Sequence, residues 1–104
     1  MTDDPILLEQ VAVGRKTPLD GRLELSAAAA ARLGAPGAEV PLSLEGRDGV
    51  ARVETLECTC GKTNAAGSHT HHFVVSELFR DLQVGRRLRL ELEGGRAGLR
   101  VTGL

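Results

Sequence analysis

The chain has 104 residues, 41% hydrophobic and 26% charged, the composition of one globular domain rather than of a disordered segment. Its longest apolar run is the alanine stretch 27–31, far short of the about 20 residues a membrane span needs, and the acidic start Met1-Thr2-Asp3-Asp4-Pro5 is unlike a basic secretory leader, so a single cytoplasmic domain over 1–104 with no membrane contact is expected. The net charge of −1 hides an asymmetry, six bases against ten acids in 1–57 and seven against four in 58–104, which directs any anionic partner to the second half; 2% aromatics with neither Trp nor Tyr exclude the stacking platform of a single-strand nucleic-acid binder.

In chain order, Val11-Ala12-Val13-Gly14-Arg15-Lys16 reads as a strand entering a hairpin. Gly21-Arg22-Leu23-Glu24-Leu25-Ser26 follows as an alternating strand, whose closing Ser26 caps a helix over 27–33 that Gly34 stops. Val40, Leu42 and Leu44 have the period-two spacing of a strand, ending at Glu45-Gly46, with a turn at Arg47-Asp48-Gly49. A strand through Val50, Val53 and Leu56 then runs on to Cys58-Thr59-Cys60, and the polar, glycine-bounded 61–68 reads as a hairpin loop. The return strand carries His69, His71, His72, Phe73 and Val75, with Phe73 and Val75 expected to face the core. Ser76 caps a second helix expected over 77–84, stopped by Gly85. Leu88, Leu90 and Leu92 form an inward stripe with Arg87, Arg89 and Glu91 on the outer face, and a turn at Gly95-Arg96-Ala97 leads to a last strand through Val101 to Leu104.

Laid side by side, residues of about 6–56 and 50–104 repeat one plan: a strand ending in Ser, a short helix, a Gly stop, a Leu-x-Leu-Glu-Gly strand, a turn and a closing strand. A unit of about 50 residues buries too little surface alone, so two pseudo-repeats interlocked in one mostly β, barrel-like core with two short helices are expected. The segments Asp20-Gly21-Arg22-Leu23-Glu24-Leu25-Ser26 and Arg32-Leu33-Gly34-Ala35-Pro36-Gly37-Ala38-Glu39-Val40 give residues 11–53 a resemblance to the swapped-hairpin domain of the AbrB/MazE/SpoVT superfamily. The tandem plan is similar to that of MraZ proteins. Related cradle-loop barrels, including double-psi barrels, share the pseudo-two-fold logic and are the alternative fold. The resemblance implies binding of double-stranded DNA by basic residues on and beside the first hairpin. Arg15, Lys16 and Arg22 hold those positions here, and Lys62 sits on the second loop. The second unit lacks the Gly-Arg turn, and Asp20 and Glu24 flank Arg22, so an acidic protein partner is the alternative to DNA.

The most specific chemistry lies in Cys58-Thr59-Cys60 and Ser68-His69-Thr70-His71-His72, which hold both cysteines and all three histidines of the chain. Side chains two apart on a strand share a face, and paired strands lie about 4.8 Å apart. Cys58 and Cys60 can therefore meet His69 and His71 at the base of the loop, with His72 as the substitute ligand if the strand bulges. Two thiolates and two imidazoles suit tetrahedral Zn²⁺. Four protein ligands leave no position for a reacting water, which makes a structural ion and a non-enzymatic protein the expectation. A Cys58–Cys60 disulfide is disfavoured, because neighbours on one strand bridge poorly. Gly61-Lys62-Thr63 lacks the upstream glycine of a phosphate loop, and Ser26 and Ser76 are helix caps rather than nucleophiles. Together these residues predict an AbrB-like module with a zinc-stabilised hairpin, acting as a DNA-binding transcriptional regulator. The competing expectation is a metal-binding protein-interaction or metal/redox-sensing module that does not bind DNA.

Overall fold

Seven strands joined in a single, nearly closed barrel-shaped sheet make up 57% of the described residues. The computed structural model describes residues 6–58, 69–93 and 98–104. The strands are β1 (Ile6–Ala12), β2 (Arg22–Leu25), β3 (Glu39–Leu44), β4 (Arg47–Cys58), β5 (His69–Val75), β6 (Arg87–Glu93) and β7 (Gly98–Gly103). Their spatial order is β1-β6-β7-β3-β4-β5-β2. All neighbours are antiparallel except β3 and β7, which run parallel with Leu42 opposite Leu99 and Leu44 opposite Val101. The edge strands β1 and β2 come together at the seam, where Glu9 of β1 accepts a hydrogen bond from the backbone N–H of Ser26 at 2.9 Å.

The alternating leucines and valines dictate the interior. Val40, Leu42 and Leu44 of β3, Leu88 and Leu90 of β6, and Leu99 and Val101 of β7 are all buried in one cluster. Helix α2 (Ala27–Leu33) adds Ala29, Ala30 and Leu33 to it. This helix forms where Ser26 accepts the N–H of Ala29 at 3.1 Å, and five alanines follow with the highest helix propensity of any residue. A 3₁₀ helix over Glu77–Asp81 supplies Phe79, which is fully buried. Among the described residues no helix is long and apolar enough to cross a membrane.

Four local features differ from the sequence expectation. Residues 14–21 were expected to form a hairpin, but Lys16–Asp20 is a short helix, α1, closed by Gly21 in the left-handed region (φ 68°) with its N–H on the Thr17 carbonyl at 2.7 Å. Pro18 falls in the first turn, where backbone N–H groups have no intrahelical partner, so its missing donor costs nothing there. Accordingly β1 pairs with β6 and β2 with β5, rather than with each other. The second helix is not a full α-helix over 77–84. Its 3₁₀ form places Phe79 and Leu82, three residues apart and both buried, on one side.

The turn between β3 and β4 is Glu45-Gly46, not 47–49. Both residues have positive φ (48° and 87°) and Leu44 pairs with Arg47, the two-residue hairpin loop whose twist matches its strands. Finally, β5 presents Val74 to the core, in register with Leu23 of β2. Phe73 is buried as well, but against Arg22 and His71 on the opposite face. The run His72-Phe73-Val74-Val75 has no apolar alternation to announce its inward side, and a shift of one residue exchanges the faces.

Candidate functional site

An open groove of about 680 Å³ lies over the outer face of β2, β5 and β4, beside the start of α1. That volume falls within the range of small-ligand and short-segment sites. The β2–β5 register, Glu24 opposite Phe73, builds its floor. Phe73 carries the Arg22 guanidinium over its ring at 4.4 Å from the centroid. The His71 ring stacks beside Phe73, with centroids 6.1 Å apart and planes inclined by 26°. Glu24, diagonal to His71 across the two strands, places Oε2 2.6 Å from His71 Nδ1. Arg15 and Lys16 line the groove from the α1 side, and Leu56 and Glu57 from β4.

Of the residues expected to contact DNA, Arg15, Lys16 and Arg22 do share this groove. They do not form an uninterrupted basic face, because Glu24 and Glu57 line it too. Arg22 is further occupied: its Nε lies 3.7 Å from Asp20 Oδ2, and among the described residues that nitrogen has no hydrogen-bond partner. Its stacking on Phe73 is a cation–π contact, worth about 0.5–1 kcal/mol when exposed and more when water is excluded. Lys62 lies outside the described residues.

No protein-family model matches this chain, and no curated protein matches it. The chemistry of the site therefore rests on its own residues.

The expected metal ligands fall in four places. Cys58 and His69 are directly opposite each other at the end of the β4–β5 ladder. His71 sits two residues inward, opposite Leu56, with its ring in the groove. Cys60 lies outside the described residues. His72, named as the substitute ligand, pairs with Thr55 and lines a different cleft, together with Ala27, Ala30 and Pro36 beside α2. The two adjacent histidines thus serve opposite sides of the sheet. In the sequence Glu24 reads only as an acid beside Arg22. Its place next to His71 depends on the pairing of β2 with β5, which joins residues 47 positions apart, and no local pattern signals it.

Proposed function

We propose that the chain is a non-enzymatic barrel module whose β4–β5 hairpin is braced by a structural zinc ion, and whose groove receives a protein segment of mixed charge rather than DNA. The observation that carries this reading is the alternation of charge in the groove: Arg15, Lys16 and Arg22 against Glu24 and Glu57. DNA affinity comes chiefly from neutralising phosphates with uninterrupted Lys and Arg, and carboxylates among those bases repel the same phosphates. A peptide with both signs of charge meets no such penalty, and the exposed Leu56 offers it an apolar contact beside the charges.

The zinc component is supported by the register that sets Cys58 opposite His69 and by the two-residue spacing to His71. Zinc would be held by Cys58, Cys60, His69 and His71, with His72 as the substitute ligand. Thiolate and imidazole donors fit Zn²⁺ in preference to the harder Mg²⁺ or Ca²⁺. Descent from the AbrB/MazE/SpoVT superfamily by internal duplication belongs to the same proposal, supported by the sequence pattern and by the Ser-capped helical turn that precedes each of the β3–β4 and β6–β7 hairpins.

The test is metal content together with nucleic-acid binding on untagged protein. One zinc per chain is expected by elemental analysis, with no binding to mixed duplex fragments even at low salt. Metal-free protein that takes up no zinc would remove the brace. Submicromolar duplex binding that weakens steeply with salt would overturn the groove assignment and restore the DNA-binding regulator.

A further inference from the structure

We infer that the partner segment received by the groove is anchored by a carboxylate, an Asp or Glu side chain that pairs with the Arg22 guanidinium where Phe73 supports it; this rests on the groove as a site for a protein segment and is independent of the zinc brace. Arg22 is the groove cation that the fold has already immobilised. It projects from β2 beside the buried Leu23, and its guanidinium lies over the Phe73 ring at 4.4 Å from the centroid. Phe73 is only 8% exposed, so the ring is a fixed support. Little side-chain freedom then remains to be lost on binding. Stacking covers a face of the guanidinium and leaves its donors, which lie in the plane, to meet a ligand edge-on. Those donors are unused. Nε is buried with no hydrogen-bond partner among the described residues, and Asp20 Oδ2 at 3.7 Å is beyond hydrogen-bond length. An unbonded charged donor is rare and costly in a folded protein. The side chain keeps 22% exposure and lines the groove, and the two oxygens of a carboxylate match the fork of a guanidinium.

The surroundings favour a carboxylate over a phosphate. Arg15 and Lys16 line the same groove, and among the described residues neither side chain is in an ion pair. The two acids of the groove differ in their state. Glu24 is engaged by His71, with Oε2 2.6 Å from Nδ1, whereas Glu57 has no ion pair among the described residues. A single negative charge placed at Arg22 has Arg15 and Lys16 for further neighbours. A phosphate dianion, or a row of phosphates, also brings extra charge against Glu24 and Glu57. The same disposition shapes the rest of the segment: an apolar residue covers the exposed Leu56, and a basic residue answers Glu57.

Binding of small probes to the full chain, followed by ¹⁵N NMR, tests the anchor. The probes are the capped peptide acetyl-Glu-Glu-Leu-Leu-Lys-Lys-amide, the same peptide with Gln for both Glu, and inorganic phosphate. The Arg22 Nε–H is shielded from solvent, which slows its exchange and keeps its resonance observable, so contact at this guanidinium is read directly. The Glu peptide is expected to shift that resonance and to bind about tenfold more tightly than the Gln peptide, the effect of one charge-assisted pair. The Gln peptide carries the net positive charge, and the chain itself carries −1, so net charge would give the opposite preference. Arg22→Lys keeps the charge without the fork and should weaken the Glu peptide by about tenfold while leaving the Gln peptide unchanged. Arg100→Gln removes an exposed charge on β7, outside the groove, and should alter affinity by less than about twofold. The comparison of the two peptides on the parent needs no variant to fold. Equal affinity for both peptides would overturn the carboxylate anchor and leave the groove standing as a segment site. An effect of Arg100→Gln as large as that of Arg22→Lys would assign binding to diffuse charge and overturn it too. A shift by phosphate equal to that by the Glu peptide at the same concentration would overturn the choice of a carboxylate. Absence of binding by both peptides at millimolar concentration would overturn the anchor and the groove reading together.

Discussion

Glu45 shows how one side chain ties distant strands together. It occupies the first position of the β3–β4 turn at φ 48°, and its Oε2 accepts from the Arg86 guanidinium and from the Gly103 N–H at 3.1 Å. The Arg86 hydrogen bond, then the Gly103 N–H and the Arg86 charge, hold its carboxyl below the ordinary value. A carboxyl with a lowered folded-state pKa stabilises the fold above its unfolded pKa, and that contribution disappears as pH falls through the folded pKa. Glu45→Gln is therefore expected to lower the urea midpoint at pH 7 and to converge with the parent in acid. A difference that persists unchanged at low pH would assign the effect to the turn rather than to the charge. Gly21 and Gly37 make a second residue-scale pair, both at positive φ (68° and 91°). An alanine in that region costs about 1–2 kcal/mol. At Gly37 nothing lies within 4 Å of a new Cβ, whereas at Gly21 it would meet the Ser76 carbonyl oxygen at 2.7 Å, which itself follows an N–H bonded to the Gly21 carbonyl. Gly21→Ala should be clearly the more destabilising of the two in denaturant titrations, and equal costs would mean that the Ser76 backbone yields freely.

At the scale of elements, the 3₁₀ helix is the smallest piece with the largest payload. It has five residues, yet its Phe79 is completely buried within the main cluster. Phe→Ala at such a site costs about 3–5 kcal/mol, against a total stability of about 5–15 kcal/mol for an ordinary domain. Phe79→Ala is expected to leave the chain marginal or unfolded by circular dichroism, and Phe79→Leu to leave it folded with a lowered midpoint. A cooperative, near-parental melt for the alanine variant would show that the barrel closes without its plug. The elements also show what a sequence can reveal. Helix α2 was fully legible, because Ser26, the alanines and Gly34 each signal locally. The strands β3 and β6 were legible through their alternating leucines. Helix α1 was not, because Gly14 and Gly21 bracket a segment whose helical turn depends on the Gly21 cap and on Thr17 being buried. The inward side of β5 was hidden by consecutive apolar residues. The candidate ligands could be read from residue type and spacing, and the separation of His71 from His72 follows from the alternation of one strand, but the arrival of Glu24 comes from strand pairing over a long sequence distance.

For the whole molecule, the arrangement separates a self-sufficient barrel from an appended hairpin end. Among the described residues, the buried cluster draws on β2, β3, β6, β7, α2 and the 3₁₀ helix, and takes from β4 and β5 Ala51, Val53 and Val74. Beyond those residues the ladder continues through Thr55–His72, Leu56–His71, Glu57–Thr70 and Cys58–His69, where Leu56 is 50% exposed and Thr55, Glu57 and Thr70 are exposed as well. Two-stranded ladders of this kind are marginal in water, so the proposed zinc would brace a segment with little else to hold it. Local stability then differs along a single pair of strands. Hydrogen exchange on zinc-loaded and chelated protein is expected to show faster exchange at residues 56–58 and 69–71 after chelation. Amides at Ala51, Val53 and Val74, and those of β6 and β7, should keep their rates, because the closed barrel does not depend on the hairpin end. Loss of protection throughout would mean that the ion holds the barrel itself together. Unchanged protection at the hairpin end would mean that the ladder needs no brace, and the two cysteines and His69 would then require a different explanation.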